Sequence, residues 1–232
     1  MTIHYHGTPL TPRTELMKLA GKHFCVSFAD ARDGDWCLAN GQSVMWDNGA
    51  FTSFRQGKAP DWTKLYAWLE PRLGHPHWAV IPDVIDGTVE QQRELVSLWP
   101  LPKHLGAPVW HLGLPFDYLV ELAEAWPRVC FGSSGAYWQV GSSPWEQRVD
   151  QAFNELEKRG LRPWVHMLRG LAMCGDRWPF ASADSVNVAR NYKDTSICPE
   201  RMARRIDAVQ CPVRWVVRAV NDNQRGLFDV AA

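Results

Sequence analysis

Long apolar runs are absent from this sequence. None of its hydrophobic stretches approaches the ~18–20 residues of a membrane-spanning helix, so we expect no membrane partner. The start of the chain, Met1 to Gly7, lacks a basic region followed by an apolar one, which argues against a signal peptide. The six cysteines include no Cys-x-x-Cys pair, which argues against a zinc knuckle and a disulfide framework. These absences together predict a protein of the reducing cytoplasm.

Several common site motifs are absent as well. The turn Gly132–Gly135 is rich in glycine, but it lacks the lysine and the spacing of a phosphate-binding P-loop. No Gly-x-Ser-x-Gly elbow of an acyl-transfer enzyme is present. His4 and His6 lie two residues apart, as do His75 and His77, yet no third ligand of matching spacing accompanies either pair. We therefore expect neither a bound metal nor a cofactor.

An excess of either charge is also lacking, because 25 Lys and Arg balance 25 Asp and Glu. The charges are unevenly spread, however. Residues 1–157 carry 12 basic and 18 acidic side chains, whereas residues 158–232 carry 13 basic and 7 acidic ones. This asymmetry indicates either a polyanionic partner at the C-terminal end or complementary halves of one domain. The high count of 13 tryptophans also has two interpretations. Aromatic rings can stack on nucleic-acid bases, but most Trp side chains in a globular domain pack its core.

What the sequence does contain is a regular series of short apolar, β-branched and aromatic runs. Most are continuous rather than alternating, which is typical of strands covered on both faces. The eight strand candidates are Ile3–His6, Phe24–Phe28, Val44–Trp46, Trp78–Ile81, Val109–Leu112, Val129–Phe131, Trp164–Leu168 and Ala183–Val188.

Helix signals lie between several of these runs. Asp61 has the position of an N-cap, and Thr88 with Gln91 has the spacing of a capping box. The clearest start is Ser143–Glu146, with Ser143 as the cap and a proline next to it. Further helices are predicted from Thr11-Pro12, over Phe116–Trp126 and from Pro199-Glu200. The connections after Phe28 and after Leu168 look too short or too rich in Gly and Asp for a full helix.

The alternation of strands and helices predicts βα units around a parallel sheet. Eight strands in about 190 residues fit a compact α/β fold, a (β/α)8 TIM-like barrel, better than an open sheet. No repeat, linker or domain boundary interrupts the pattern, so we predict one catalytic domain over residues 1–220 and a tail over residues 221–232. The apolar segment Cys211–Val217 is either an added strand or a packing tail.

The active site of a parallel barrel lies at the carboxyl ends of its strands. Three predicted strands end near an aspartate, and we expect Asp47, Asp83 and Asp184 to face one pocket. Converging carboxylates can divide labour, because repulsion and burial separate their pKa values, and attack at a sugar anomeric carbon uses such a pair. A strand-end aspartate can equally cap the next helix or close a turn.

The order of these motifs resembles that of the tRNA-guanine transglycosylase superfamily. Asp47–Phe51 is similar to its Asp-Ser-Gly-Gly-(Phe/Tyr) motif, and Phe131–Ala136 resembles its Gly-Gly base-binding turn. His166–Gly170 followed by Ala183–Asn191 resembles the segment that carries the nucleophilic aspartate. The likeness runs in order from residue 44 to residue 191 and is closest to the short, phage-type DpdA-like enzymes, which exchange guanine in DNA for a 7-deazaguanine.

The resemblance implies a role for each matching residue. Asp184 would attack C1′ of the target nucleotide, and Asp47 would handle the proton on the leaving and entering bases. Phe51 would stack on one face of the base, and Arg169 could cover the other. The base-recognition groups would be Asp83, His111, Ser134 and Gly135. The partners implied are DNA and a free 7-deazaguanine base, with no cofactor.

Two differences from the family change what we expect of the substrate and of base recognition. The zinc subdomain of the tRNA enzymes is lacking, which argues against a tRNA substrate, and His111 stands where the family has Gln. The target base must leave the duplex or be presented single-stranded. Five basic residues could then hold phosphates beside Asp184: Arg190, Lys193, Arg201, Arg204 and Arg205. For Arg201, Arg204 and Arg205 the alternative is that they form only the polar face of an amphipathic helix. An N-glycosidase that uses water, and a non-catalytic nucleic-acid or base-binding barrel, are the alternatives.

Overall fold

A computed structural model describes residues 1–194 and 197–219 of the chain. The predicted tail, residues 221–232, lies outside the described residues. All eight predicted strands are confirmed, and a ninth short strand precedes the fifth of them. The strands are β1 Ile3–Gly7, β2 His23–Ser27, β3 Ser43–Asp47, β4 Trp78–Val80, β5 Gly106–Ala107, β6 Val109–His111, β7 Arg128–Gly132, β8 Trp164–Met167 and β9 Ser182–Ser185.

These strands form one nearly closed parallel sheet in the order β5-β4-β3-β2-β1-β9-β8-β7-β6. Its two edges, β5 and β6, are neighbours in the chain with only Pro108 between them. Ala107 pairs toward β4, because its carbonyl accepts from Ile81 N–H at 3.0 Å, while the Pro108 carbonyl accepts from Cys130 N–H of β7 at 2.8 Å. Proline has no N–H to donate, so it divides one strand into two. The sheet is therefore barrel-like and consistent with a TIM-like fold.

Helices cover the outside of the sheet. They are α1 Arg13–Met17, α2 Gly34–Asn40, α3 Ala50–Arg55, α4 Trp62–Leu69, α5 Val89–Ser97, α6 Phe116–Ala125, α7 Ser143–Lys158, α8 Asn187–Asn191 and α9 Pro199–Asp207. The Asp61 carboxylate accepts from Lys64 N–H at the start of α4, and both bonds of the capping box between Thr88 and Gln91 are present at α5. These two helix starts are confirmed.

Three local predictions were wrong. The connection after Phe28 holds α2, whose buried Cys37 packs toward the sheet and gives the helix its apolar side. The N-cap of α7 is Ser142 rather than Ser143, and neither serine caps it through a side chain. The last strand ends at Ser185 rather than Val188, because Asn187 begins α8.

Two apolar layers lie on the two sides of the sheet. The layer inside the barrel is small and contains Tyr5, Cys25, Met45, Trp78, Val80, Ala107, Val109 and Cys130. A much larger layer lies between the sheet and the helices, with Trp46, Trp110, Trp145 and Trp178 fully buried in it. Burial on both faces explains why the strand sequences are continuous rather than alternating.

The apolar segment after α9 is a packing tail and forms no strand over its described residues. Trp215 is buried and stacks on Phe153 of α7, with ring centroids 5.5 Å apart. Its indole N–H donates to Asn154 Oδ1 at 2.8 Å. Over residues 1–194 and 197–219, no helix has the length and apolarity that crossing a membrane requires.

Candidate active site

The three predicted aspartates meet at the carboxyl end of the barrel. Asp47 is the last residue of β3, Asp184 lies in β9, and Asp83 follows β4 by three residues. Asp184 and Asp83 both lie close enough to Asp47 for their charges to raise its pKa, and all three act on the Arg169 guanidinium. The strand-end positions predicted from the sequence thus share one electrostatic site.

The surroundings of Asp47 favour its protonated form. Its Oδ2 accepts from Ser27 Oγ at 2.7 Å and from Gly49 N–H at 3.2 Å. Burial raises the pKa of Asp47 to about 6, and the charges of Asp184 and Asp83 act in the same direction. Oδ1 has no hydrogen-bond partner among the described residues, so this oxygen can meet a ligand.

Gly49 makes this arrangement possible. It adopts φ of +77°, a left-handed conformation that glycine reaches without steric cost, and it turns the chain from β3 into α3. The same turn brings the amide of Asn48 onto Asp83.

Asp184 is oriented by contacts to one of its two carboxylate oxygens. Its Oδ1 accepts from the backbone N–H of Arg169 at 2.7 Å and lies 3.2 Å from His166 Nε2. The other ring nitrogen of His166, Nδ1, lies 2.6 Å from Ser182 Oγ, and His166 is fully buried. Since Oδ2 has no hydrogen-bond partner in the described part of the chain, one carboxylate oxygen is fixed and the other is available.

The backbone at Arg169 is unusual for a residue with a side chain. Its φ is +59°, in the left-handed region that non-glycine residues seldom occupy. This conformation accompanies the hydrogen bond from Arg169 N–H to Asp184. Backbone strain of this kind is found where surrounding contacts hold it in place, often at functional sites.

Asp83 and His111 form a buried pair. His111 Nε2 lies 2.8 Å from Asp83 Oδ2, and Asn48 Nδ2 donates to Asp83 Oδ1 at 2.7 Å. On the other side of the ring, Ser134 Oγ lies 3.3 Å from His111 Nδ1. The structure therefore brings Asp83, His111 and Ser134 into one polar network.

Gly135 lies beside this network. An ideal Cβ built on Gly135 would lie 3.4 Å from Asp86 Oδ1, so the loops after β4 and β7 approach each other at the barrel mouth.

Arg169 and Phe51 lie against each other across the mouth. The guanidinium carbon of Arg169 is 4.3 Å from the centre of the Phe51 ring, and Nη2 donates to the Ser133 carbonyl at 2.6 Å. Burial lowers the pKa of Arg169, and the three aspartates oppose that effect. A planar ligand stacked between the two side chains would have to separate them.

The floor of the site is apolar. The thiols of Cys25 and Cys130 lie inside the barrel near Asp184 and Asp47, and burial is the main reason that their pKa values are well above the ordinary range. The indole N–H of Trp78 donates to the Tyr5 hydroxyl at 2.8 Å below them. Such surroundings hold little water and strengthen the interactions between charges above them.

The five basic residues predicted to hold phosphates lie in and around the last two helices. Arg190 lies in α8, which directly follows the strand of Asp184, and its side chain is exposed. The other four are also exposed: Lys193, Arg201, Arg204 and Arg205. Arg204 is bonded to Glu200 at 2.5 Å, one helical turn away.

Three contributors to the site were given no role from the sequence: Ser27, Asn48 and His166. Ser27 is the last residue of β2 and pairs in register with Asp47, so aligning the strand ends would have found it. Asn48 and His166 belong to the motifs quoted for the resemblance, but nothing in the sequence shows which carboxylate each side chain contacts. In the portion of the chain that the structure describes, no group of three or more His, Cys, Asp or Glu could hold a metal ion.

Comparisons of the chain with family models, with curated proteins and with solved structures gave no significant match. A carboxylate with one free oxygen, a second carboxyl that keeps its proton to about pH 6, and a buried polar network beside them suit attack on an electrophilic carbon with proton transfer to the leaving group.

Proposed function

We propose that this protein is a pentosyltransferase that replaces guanine in DNA with a 7-deazaguanine derivative through a covalent aspartyl-nucleotide intermediate. One observation carries the proposal: Asp184 has one oxygen held by Arg169 N–H and His166, while its other oxygen is unpartnered within the described residues. A carboxylate nucleophile needs this division, because fixing one oxygen aims the other.

The first half of the reaction forms the intermediate. Asp184 Oδ2 bonds to C1′ of the target nucleotide as the bond from C1′ to N9 of guanine breaks. The electron pair of that bond stays with guanine, and Asp47 supplies the proton that neutralises the leaving base. The raised pKa of Asp47, about 6, leaves a usable fraction of the acid near neutral pH.

The second half reverses these roles. The incoming 7-deazaguanine loses its N9 proton to the Asp47 carboxylate, N9 bonds to C1′, and the bond to Asp184 breaks. Two carboxyl groups with different duties are the usual arrangement for retaining substitution at an anomeric carbon.

The buried pair of Asp83 and His111 is the proposed base-recognition element. Within the described residues each Asp83 oxygen has one hydrogen-bond partner, Asn48 for Oδ1 and His111 for Oδ2, so the second lone pair of each would accept from N1–H and the exocyclic amine of a guanine-like base. The backbone N–H groups of Ser134 and Gly135 would meet O6. Entry of the base between Phe51 and Arg169 requires the Arg169 side chain to leave the ring that it covers.

A base-exchange assay tests this proposal. The full chain is incubated with single-stranded and double-stranded DNA and radiolabelled 7-deazaguanine bases that differ at the 7-position. We expect label in DNA and an equal amount of released guanine, and none of either with Asp184→Asn. Release of guanine with abasic sites and no incorporation would select the N-glycosidase, and DNA binding with neither product would select the binding barrel.

A further inference from the structure

A cavity of about 350 Å³ lies beside the proposed base-recognition element. Its wall includes Asp83 itself, Phe54 of α3, Trp62 of α4 and Leu95 of α5. The volume is at the lower end of the range for ligand pockets. Because Asp83 also contacts His111, the cavity begins where the proposed base site ends.

Helix α3 presents an aromatic ring to this cavity. Phe51 and Phe54 are three residues apart in α3, so their side chains lie on the same side of the helix. Phe51 lies against Arg169 at the mouth, whereas Phe54 lines the cavity and is 52% exposed. An exposed aromatic ring is a surface on which a nucleobase of any sequence can stack.

The polar groups of the cavity can bind the edge of a base. Gln91 and Glu94 of α5 both line it. Gln91 Oε1 accepts from Thr88 N–H at 2.8 Å, but the Gln91 amide NH2 and the Glu94 carboxylate have no hydrogen-bond partner among the described residues. A donor and an acceptor beside aromatic walls suit a planar heterocycle that carries both kinds of group on its edge.

Two basic side chains at the cavity favour a nucleotide over a free base. Lys58 lines the cavity, and Arg55 directly follows Phe54 at the end of α3. Both are exposed, and neither forms an ion pair with an Asp or Glu of residues 1–194 and 197–219. Lys and Arg side chains in such positions neutralise the phosphates of a bound strand, which a free base lacks.

We propose that this cavity binds the base of the nucleotide next to the target guanine, and that the substrate is therefore single-stranded DNA. The inference rests on the proposed base exchange, in which Asp83 holds the target base. The neighbouring nucleotide is covalently linked to the target, so it lies within reach of a cavity whose wall includes Asp83. In a duplex two bases rather than one would have to leave the stack, and each costs unpairing and unstacking energy.

Binding of single-stranded oligonucleotides that contain one guanine tests the proposal. The Asp184→Asn variant, which prevents turnover, is titrated with oligonucleotides that carry an intact base or an abasic spacer on either side of the guanine. The spacer on one side should raise Kd about 5–100-fold, because a stacked base contributes at that scale. Adding Phe54→Ala should raise Kd for the intact oligonucleotide by a similar factor, and adding Phe54→Tyr, which keeps the ring, should not.

The two losses should not be additive. Once Phe54→Ala has removed the ring, the spacer should raise Kd little further, because both changes remove the same contact. Duplex DNA should bind the Phe54→Ala and Phe54→Tyr variants equally. Leu98→Ala is the control, since Leu98 is 58% exposed at the C-terminal end of α5 and should leave every Kd unchanged.

Additive losses, no effect of a spacer on either side, or failure to bind single-stranded DNA would overturn the proposal. Incorporation of 7-deazaguanine by the wild type together with additive losses would overturn this inference and leave the base exchange intact. Non-additive losses without any base exchange would support the cavity and contradict the proposed reaction.

Discussion

At the scale of single residues, three polar side chains each engage one oxygen of a carboxylate in the site. Ser27 engages one oxygen of Asp47, His166 engages one oxygen of Asp184, and Asn48 engages one oxygen of Asp83. Each bond orients a carboxylate without using all of its acceptor capacity. Substitution of Ser27, His166 or Asn48 therefore tests the site as directly as substitution of the aspartates that they orient.

Replacing Asp47 by Asn should stabilise the protein at neutral pH. The folded-state pKa of Asp47 is raised to about 6, so its contribution to stability is fully present below the unfolded pKa of about 3.9 and is lost as pH rises through 6. Asn carries no charge and keeps an acceptor for Ser27 and Gly49. Urea unfolding should show Asp47→Asn equal to the wild type near pH 4 and more stable by about 1–3 kcal/mol above pH 7.

Asp61→Asn is the matched control for this pH dependence. The backbone N–H of Lys64 is the main cause that lowers the pKa of Asp61, so its stabilising effect is present above the unfolded pKa and lost as pH falls through the folded pKa. The two variants should thus differ from the wild type with opposite dependence on pH. A parallel response of both would contradict the assignment of a raised pKa to Asp47.

The rate of base exchange should fall at high pH for the same reason. If Asp47 donates the proton to guanine, kcat/KM measured over pH 5–9 should decrease by up to tenfold per pH unit above about pH 6. Asp47→Asn should lose this limb together with most of the activity. A rate that rises steadily to pH 9 would remove Asp47 from the role of acid.

His166 should act on rate through Asp184. His166→Ala removes a donor to Asp184 Oδ1 and should slow the formation of the covalent intermediate by about 10–100-fold in single-turnover experiments. His166→Gln keeps a donor at a similar reach and should recover part of the rate. His23→Gln, a change to a partly buried histidine near Ser43 at the opposite end of the strands, should leave the rate unchanged. Equal losses in all three variants would show a general packing effect instead.

At the scale of elements, helix starts with a chemical signature were predictable and those without one were not. The N-cap at Asp61 and the capping box at Thr88 act within one turn, so the local sequence determines them. In contrast, α2 begins after Asp33 with no side-chain cap, and its packing against β2 and β3 depends on contacts with residues outside the helix. The same reason hid the positioning of Asp184 by His166, since a strand register decides which side chains meet.

Removal of a helix cap tests this element-scale view. Thr88→Ala abolishes the side-chain bond to Gln91 N–H and should lower the free energy of unfolding by about 0.5–2 kcal/mol. Thr63→Ala, at an exposed position inside α4, should cost less, and urea denaturation of the two variants gives the comparison. An equal loss in both variants would show that the capping box contributes nothing of its own.

At the scale of the whole molecule, the barrel brings the polar strand ends together at one mouth. The excess of basic residues lies in the last third of the chain. Parallel pairing alone predicts that Asp47, Asp83 and Asp184 share a face, which is why the sequence sufficed for them. The contact between Arg169 and Phe51 was not predictable from the sequence. A long side chain can reach residues of several loops around the mouth, and only the tertiary structure determines which of them it contacts.

If the basic residues near Asp184 bind phosphates, they should contribute to the salt dependence of the DNA-binding constant. Changing Arg190, Lys193 and Arg201 together to Gln should weaken binding to all sequences. The slope of log K against log salt should become shallower by about 0.7–0.9 for each phosphate that the variant no longer neutralises. Arg93→Gln removes an exposed ion pair with Glu121 and a contact with the Tyr118 ring, both away from the proposed phosphate contacts. It is the control and should leave the slope unchanged. An unchanged slope in the triple variant would place the DNA elsewhere.

The most direct test of the central claim is to trap the intermediate on Asp184. The full chain is mixed with end-labelled DNA without free base, quenched in denaturant and run on a denaturing gel, and the adduct is mapped by mass spectrometry. We expect a DNA–protein band for the wild type and for the exposed-site control Asp117→Asn, chased into modified DNA by 7-deazaguanine, and no band for Asp184→Asn. A band of equal intensity with Asp184→Asn, or guanine exchange by that variant, would contradict the claim.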